Sequence, residues 1–186
     1  SPIVGGKMDI DPSGNVKAAR QVSSPNCDER PDGELITLLV IHGISLPPGE
    51  FGGDSIERLF TNTLDYSRHP YFEQLRGLLV SAHFLIRRSG DLLQFVPASR
   101  RAWHAGESLW EGRTRCNDFS IGVELEGADD RCYTAEQYRA LASLTKILRS
   151  VYPLKDIAGH SDISPGRKTD PGPRFNWEAF RKLLSS

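Results

Sequence analysis

The chain is poor in cysteine: Cys27, Cys116 and Cys132 are its only three, an odd number with no CxxC spacing. That pattern argues against a disulfide framework and against a cysteine zinc site. Each thiol reads as a small, partly buried side chain in a protein kept reduced. No apolar run approaches the ~18 residues of a membrane span. The opening "SPIVGG" lacks the basic, apolar and small-residue order of a secretory signal, and it starts without Met, as a processed or tagged chain would. There is no excess of charge of either sign: the formal net charge is -1, which gives no electrostatic reason to expect nucleic acid or an anionic membrane as partner. No internal repeat is present. These absences leave a soluble, cytoplasmic protein with a small-molecule partner and no obligatory protein partner as the expectation.

What is present suits one globular domain: 186 residues, 38% hydrophobic and 25% charged. Residues up to about Gly33 are rich in Gly, Pro, Ser and Asp without periodicity, which predicts an extended arm. Residues 1–23 are assigned to that arm and 24–186 to the folded domain. "LITLLVIH" is short, apolar and β-branched, as a strand buried on both faces and ending at His42 would be. "DSIERLFTNTL" has Ile56, Leu59 and Phe60 at helical spacing behind Asp54 as cap. "SAHFLIRR" and "DLLQFVP" flank Ser89 and Gly90, which predicts a hairpin with a two-residue turn. In "SIGVELEG", Ile121, Val123 and Leu125 share one strand face while Gly122, Glu124 and Glu126 share the other. A capping box, Thr134 with Gln137, opens a long helix with Leu141, Leu144, Ile147 and Leu148 on one stripe, and a last helix follows Asn176. The fold class this order implies is α/β, a single domain whose central mixed β-sheet is flanked by helices.

The chemistry concentrates in "GHSDISPGRKTDPGP", where proline and glycine fix a loop around one histidine, two aspartates and a lysine. Of five histidines, His42 ends a buried strand and His160 opens this loop, which reaches Asp170 ten positions later. Two imidazoles and a carboxylate make a three-ligand zinc site with a fourth position open to water or substrate. Asp162 is the alternative carboxylate. Glu124 and Glu126 lie on one strand face, so alternation does not separate them as proton carriers. Trp103 and His104 of "RAWHAG", with Arg115 and Asn117, are candidates for a substrate wall: an aromatic face suits a sugar ring and a guanidinium suits peptide carboxylates.

The motifs "LLVIHGISLPPGEFGG", "HPYF", "VSAHFLIRRSG", "RAWHAG", "CNDFSIGVELEG" and "GHSDISPGRKTDPG" together resemble the AmpD-type N-acetyl-anhydromuramoyl-L-alanine amidases, cytosolic zinc enzymes of bacterial peptidoglycan recycling. The resemblance runs from about Ser24 to the last helix. It implies zinc ligands at His42, His160 and Asp170. It also implies a proton-carrying role for Glu124 and a cation near the reacting carbonyl at Lys168. The implied reaction is hydrolysis of the amide between the lactyl group of a (1,6-anhydro-)N-acetylmuramoyl sugar and the L-Ala of its stem peptide, so that the partner is a muropeptide. Alternatives are a wall-lytic amidase outside the cytosol and a non-catalytic peptidoglycan recognition module. A structural zinc would want a fourth protein ligand, for which Cys116 is the outside candidate. Gly43 and Leu79 depart from the family pattern, at positions that bear on sugar or peptide contacts.

Overall fold

The computed structural model of the chain describes residues 9–186; residues 1–8, the beginning of the predicted arm, lie outside them. Among the described residues there are ten short strands: β1 (Arg20–Gln21), β2 (Cys27–Asp28), β3 (Leu38–Ile44), β4 (Phe84–Ile86), β5 (Leu92–Gln94), β6 (Arg101–Ala102), β7 (Leu109–Trp110), β8 (Arg113–Thr114), β9 (Ser120–Glu126) and β10 (Asp156–Gly159). Four α-helices accompany them: α1 (Ser55–Phe60), α2 (Ala135–Val151), α3 (His160–Ile163) and α4 (Trp177–Leu184).

Six strands form the central sheet, in the order β1-β5-β4-β9-β3-β10. Strands β4, β9, β3 and β10 are parallel, and β5 turns back antiparallel to β4 with β1 following its direction. The sheet is therefore mixed, with helices on its faces. Parallel strands need long crossovers, and α2 lies in the one that leads from β9 past β3 to β10. Its leucine stripe, with Phe180 of α4, packs on Leu39, Ile41, Ile121, Val123 and Leu125. Strand alternation then sends Val40, His42, Gly122 and Glu124 to the opposite face. There, α1 covers Leu85 and Leu93, and Phe119 and Ile163 cover Leu38 and Val40.

The local signals act through identifiable bonds. Thr134 accepts from the Gln137 amide, and the Gln137 side chain accepts from the Thr134 amide, closing the capping box of α2. Asn176 accepts from the Ala179 amide to start α4. Two expectations need correction. The hairpin connection between β4 and β5 comprises Arg88, Ser89 and Gly90, because Arg87 N–H donates to the Asp91 carbonyl and Gly90 takes φ +91°, so the left-handed residue comes third. Helix α1 stops at Phe60, followed by Asn62 at φ 61°, and Asp54 spends its carboxylate on Arg58 at 2.8 Å instead of capping.

The stretch before residue 24 packs against the same core. Val16 is fully buried, its amide donates to Gln94 Oε1 at 2.8 Å, and β1 extends the sheet beside β5.

Candidate active site and metal centre

Since β3, β9 and β10 are parallel neighbours, their carboxyl ends open on one side of the sheet, the side where open α/β sheets place ligands. His42 lies near the end of β3, directly opposite Glu124 of β9 in the register. Strand β10 ends at Gly159, opposite Ile41, and so delivers His160 beside His42. The proline- and glycine-rich loop then folds back: Ser161 N–H donates to the Asp170 carbonyl at 2.9 Å. This return brings the Asp170 carboxylate to the two imidazoles.

His42 Nδ1 and His160 Nδ1 lie 3.0 Å apart, and Asp170 oxygens lie 3.3 Å from each. One ligand atom from each of the three residues fits within a span of 4.8 Å. His160 Nε2–H donates to the Ala105 carbonyl at 2.9 Å, which leaves its Nδ1 lone pair facing the other two donors. Two imidazole nitrogens and a carboxylate so arranged make an electron-rich pocket that fits a divalent cation, and the N, N, O donor set with an open side is of the catalytic zinc type. Asp162 is turned elsewhere, accepting from the Gly159 amide at 2.8 Å. Cys116 is buried in an apolar cluster with Leu38, Val40 and Phe119. Of the other two thiols, Cys27 is half-buried and Cys132 exposed, and none of the three is in a disulfide.

Burial is the largest single influence on each of the three central titratable groups. It holds the His42 imidazole down to about 4, against an opposing hydrogen bond with Asp170. At Asp170 burial favours the neutral acid, but the adjoining imidazoles outweigh it and hold the carboxyl below the ordinary range. Glu124 is pushed well above the ordinary carboxyl range, first by burial and then by the Asp170 charge, while Lys168 pulls the other way.

The two glutamates of the shared strand face have different surroundings. Glu126 Oε2 accepts from Gly52 N–H at 2.7 Å and Arg87 at 3.2 Å, and its Oε1 accepts from Arg88 N–H at 3.1 Å. Glu124 Oε2 lies 3.9 Å from His42 Nδ1, and its buried Oε1 has no hydrogen-bond partner among the described residues. A cleft of about 580 Å³ opens over Glu124, His42 and Asp170. Lys168 and Trp103 line it. Lys168 is exposed and has no side-chain partner among the described residues, whereas the Trp103 Nε1 donor is buried without a partner.

Of the remaining sequence candidates, only His104 borders the cleft. His104 is buried, with its two ring nitrogens against His42 Nε2 at 2.8 Å and Ser120 Oγ at 3.0 Å. Asn117 Oδ1 accepts from the backbone amides of His104 and Ala105, so it holds the loop and does not line the cleft. Arg115 is 74% exposed in its side chain, faces Asp118 at 3.7 Å and also stands outside the cleft. His83 accepts from Gly122 N–H and donates to the Arg100 carbonyl, a packing role. His69 accepts from Tyr71 N–H, ordering the turn that carries Tyr71 to the cleft.

Sequence reasoning missed Tyr133. Its hydroxyl donates to the Pro171 carbonyl at 2.7 Å, next to Asp170, and a Cβ at Gly43 would collide with it. The glycine after His42 was the one visible signal, noted there as a departure from pattern and explained here by the tyrosine above it. Arg167 was missed as well: it bonds the Ala105 and Glu107 carbonyls at 2.7 and 2.9 Å, tying the loop between His160 and Asp170 to the "WHAG" loop.

The N-acetylmuramoyl-L-alanine amidase family profile matches residues 32–173. The 1,6-anhydro-N-acetylmuramyl-L-alanine amidase AmpD of Escherichia coli K12 is 58% identical over 169 residues, covering 90% of this chain and 92% of that protein. The crystal structure of a selenomethionine AmpD derivative superposes with a TM-score of 0.93 at 55% identity, covering 95% of this chain and 99% of the other. The amidase AmiD of Escherichia coli, solved in complex with the substrate anhydro-N-acetylmuramic acid-L-Ala-D-gamma-Glu-L-Lys, matches at TM-score 0.60 and 27% identity over 94% of this chain and 65% of that one.

Proposed function

The chain belongs to the N-acetylmuramoyl-L-alanine amidase family, and from that premise we propose that it hydrolyses the lactyl–L-Ala amide of 1,6-anhydro-N-acetylmuramoyl peptides during peptidoglycan recycling in the cytoplasm. The observation that carries this reading is the meeting of His42, His160 and Asp170 beside an unpartnered Glu124 on the cleft floor, in a chain so similar to AmpD. No helix among the described residues is long and apolar enough to cross a membrane, which is compatible with a soluble site of action.

His42, His160 and Asp170 would hold zinc. When bound, zinc supplies Lewis acidity, polarising an amide carbonyl and making water a far stronger acid. The chain's own groups do the rest. Glu124 takes the proton from the attacking water and passes it to the departing L-Ala amine. Burial suits it to this exchange by raising its proton affinity above that of an ordinary carboxylate. Lys168, projecting into the cleft without a partner, stands ready to stabilise negative charge developing on the carbonyl oxygen. Trp103 offers an aromatic wall for the sugar–peptide junction.

Incubation of zinc-loaded protein with anhydromuramoyl-tripeptide and, separately, with intact sacculi, read by mass, tests the proposal. Free tripeptide and anhydromuramic acid should form at a much higher kcat/KM than any product from sacculi. An equal or reversed preference would assign the chain to wall lysis, and no cleavage of either would sink the reaction itself.

A further inference from the structure

His104 is fixed from several sides. Its ring is nearly perpendicular to that of His42, with centroids 5.0 Å apart and an interplanar angle of 87°. Asn117 Oδ1 holds its backbone amide at 3.1 Å, and the His83 ring packs on it at 5.9 Å between centroids. The glycine at 122 in β9 makes the room, since a Cβ there would stand 2.6 Å from His104 Nδ1. So placed, His104 Nδ1 lies 2.8 Å from His42 Nε2 and His104 Nε2 lies 3.0 Å from Ser120 Oγ. Ser120 is fully buried, and its hydroxyl has His104 as its one side-chain partner among the described residues.

A neutral imidazole has one donor and one acceptor nitrogen, so this chain of three groups is satisfied in two directions. In one, the Ser120 hydroxyl donates to His104, His104 donates to His42 Nε2, and the remaining proton sits on His42 Nδ1, covering the lone pair a metal needs. In the other, His42 Nε2–H donates to His104 Nδ1, His104 Nε2–H donates to Ser120 Oγ, and His42 presents a bare Nδ1 beside His160 and Asp170. A serine hydroxyl both donates and accepts, so it terminates either direction. The two directions hold the same number of protons, so the change between them creates no buried charge.

The geometry points to His104 as a positioning residue which, backed by Ser120, holds the His42 ring and aims its Nδ1 lone pair into the metal pocket. The inference rests on the zinc reading of that pocket. Histidine ligands need a partner on the far nitrogen to fix tautomer and orientation, and His42, 1% exposed, has no solvent to supply one. His160 solves the same problem with the Ala105 carbonyl.

The test compares zinc dissociation constants, measured by chelator competition, for metal-free wild type, His42→Ala, His104→Leu, His104→Asn and Ser120→Ala, with ¹⁵N–¹H imidazole spectra of the zinc-loaded wild type. His104→Leu should bind zinc about 10–100-fold more weakly. His104→Asn, whose Oδ1 stands close to the lost Nδ1 and accepts from His42, should recover most of that loss. The spectra should show His42 and His104 both protonated at Nε2. If wild type binds zinc no better than His42→Ala, the zinc reading fails and the positioning role with it. Tight wild-type binding with unchanged affinity in His104→Leu, or a zinc-loaded His104 protonated at Nδ1, overturns the positioning role alone. Should His104→Leu not fold by circular dichroism, Ser120→Ala decides: weakening of about threefold or more supports the role, and unchanged affinity overturns it.

Discussion

Glu124 and His42 face each other across neighbouring parallel strands, paired in the register, with Glu124 Oε2 3.9 Å from His42 Nδ1. The carboxylate is thus positioned by the sheet and not by a loop, close to the metal pocket without being one of its three convergent donors. The proposed proton carrier is therefore separate from the proposed ligands, and experiment can distinguish the two roles.

Glu124→Gln keeps the shape of the side chain and removes the proton acceptor. The variant should retain zinc, fold and substrate affinity while kcat falls by about 10²–10⁴-fold. Zinc content and turnover measured on the same sample check it; near wild-type turnover would move the role elsewhere.

Asp170→Ala, by contrast, removes a donor from the pocket. Zinc content after desalting should drop along with activity, and chelator treatment of wild type should abolish activity that added zinc restores. Full activity in metal-free protein would end the metal mechanism.

Glu126 gives the structural counterpart. Its carboxylate is buried against Arg87, which also bonds Glu57, and it ties Gly52 of the cleft-side loop to the sheet. Glu126→Ala leaves Arg87 with Glu57 as its remaining carboxylate and takes the acceptor from the Gly52 and Arg88 amides, so unfolding free energy should fall by about 1–3 kcal/mol. Urea denaturation measures this. A large loss of kcat at unchanged stability would instead make Glu126 the proton carrier.

Lys168→Met removes the unpartnered charge of the cleft and nearly preserves the stem. If the cation stabilises developing oxyanion charge, kcat should fall by about 10²–10³-fold with little change in KM. A rise in KM at constant kcat would reassign Lys168 to ground-state substrate binding.

Gly122→Ala places a methyl against the His104 ring. Overpacking of this kind costs about 1–3 kcal/mol, and the melting temperature should fall accordingly. Val123→Ala, one residue away on the opposite face and in the core below α2, would also destabilise, but it should leave zinc affinity intact where Gly122→Ala lowers it.

Periodicity and punctuation were enough to read the elements that local physics governs. The buried run to His42, the alternation of 121–126, the capping box at Thr134 and the Asn176 cap are encoded within a few residues, and the structure contains each. The candidate donors His42, His160 and Asp170 were legible too, because imidazoles and carboxylates at a strand end and in a proline-fixed loop are rare and chemically specific. Alternation puts Glu124 and Glu126 on one face; the family resemblance favoured Glu124, but only the tertiary structure shows a physical difference between them. What separates them is Arg87 and Gly52 arriving from distant segments. The same holds for His104 beside Trp103. Adjacent in sequence, both border the cleft, but His104 is buried against His42 because Gly122 of another strand leaves space for its ring. Sequence determined which groups were available; the parallel register of β3, β9 and β10 decided which of them meet, because hydrogen-bond partners brought by long crossovers have no signature at short range.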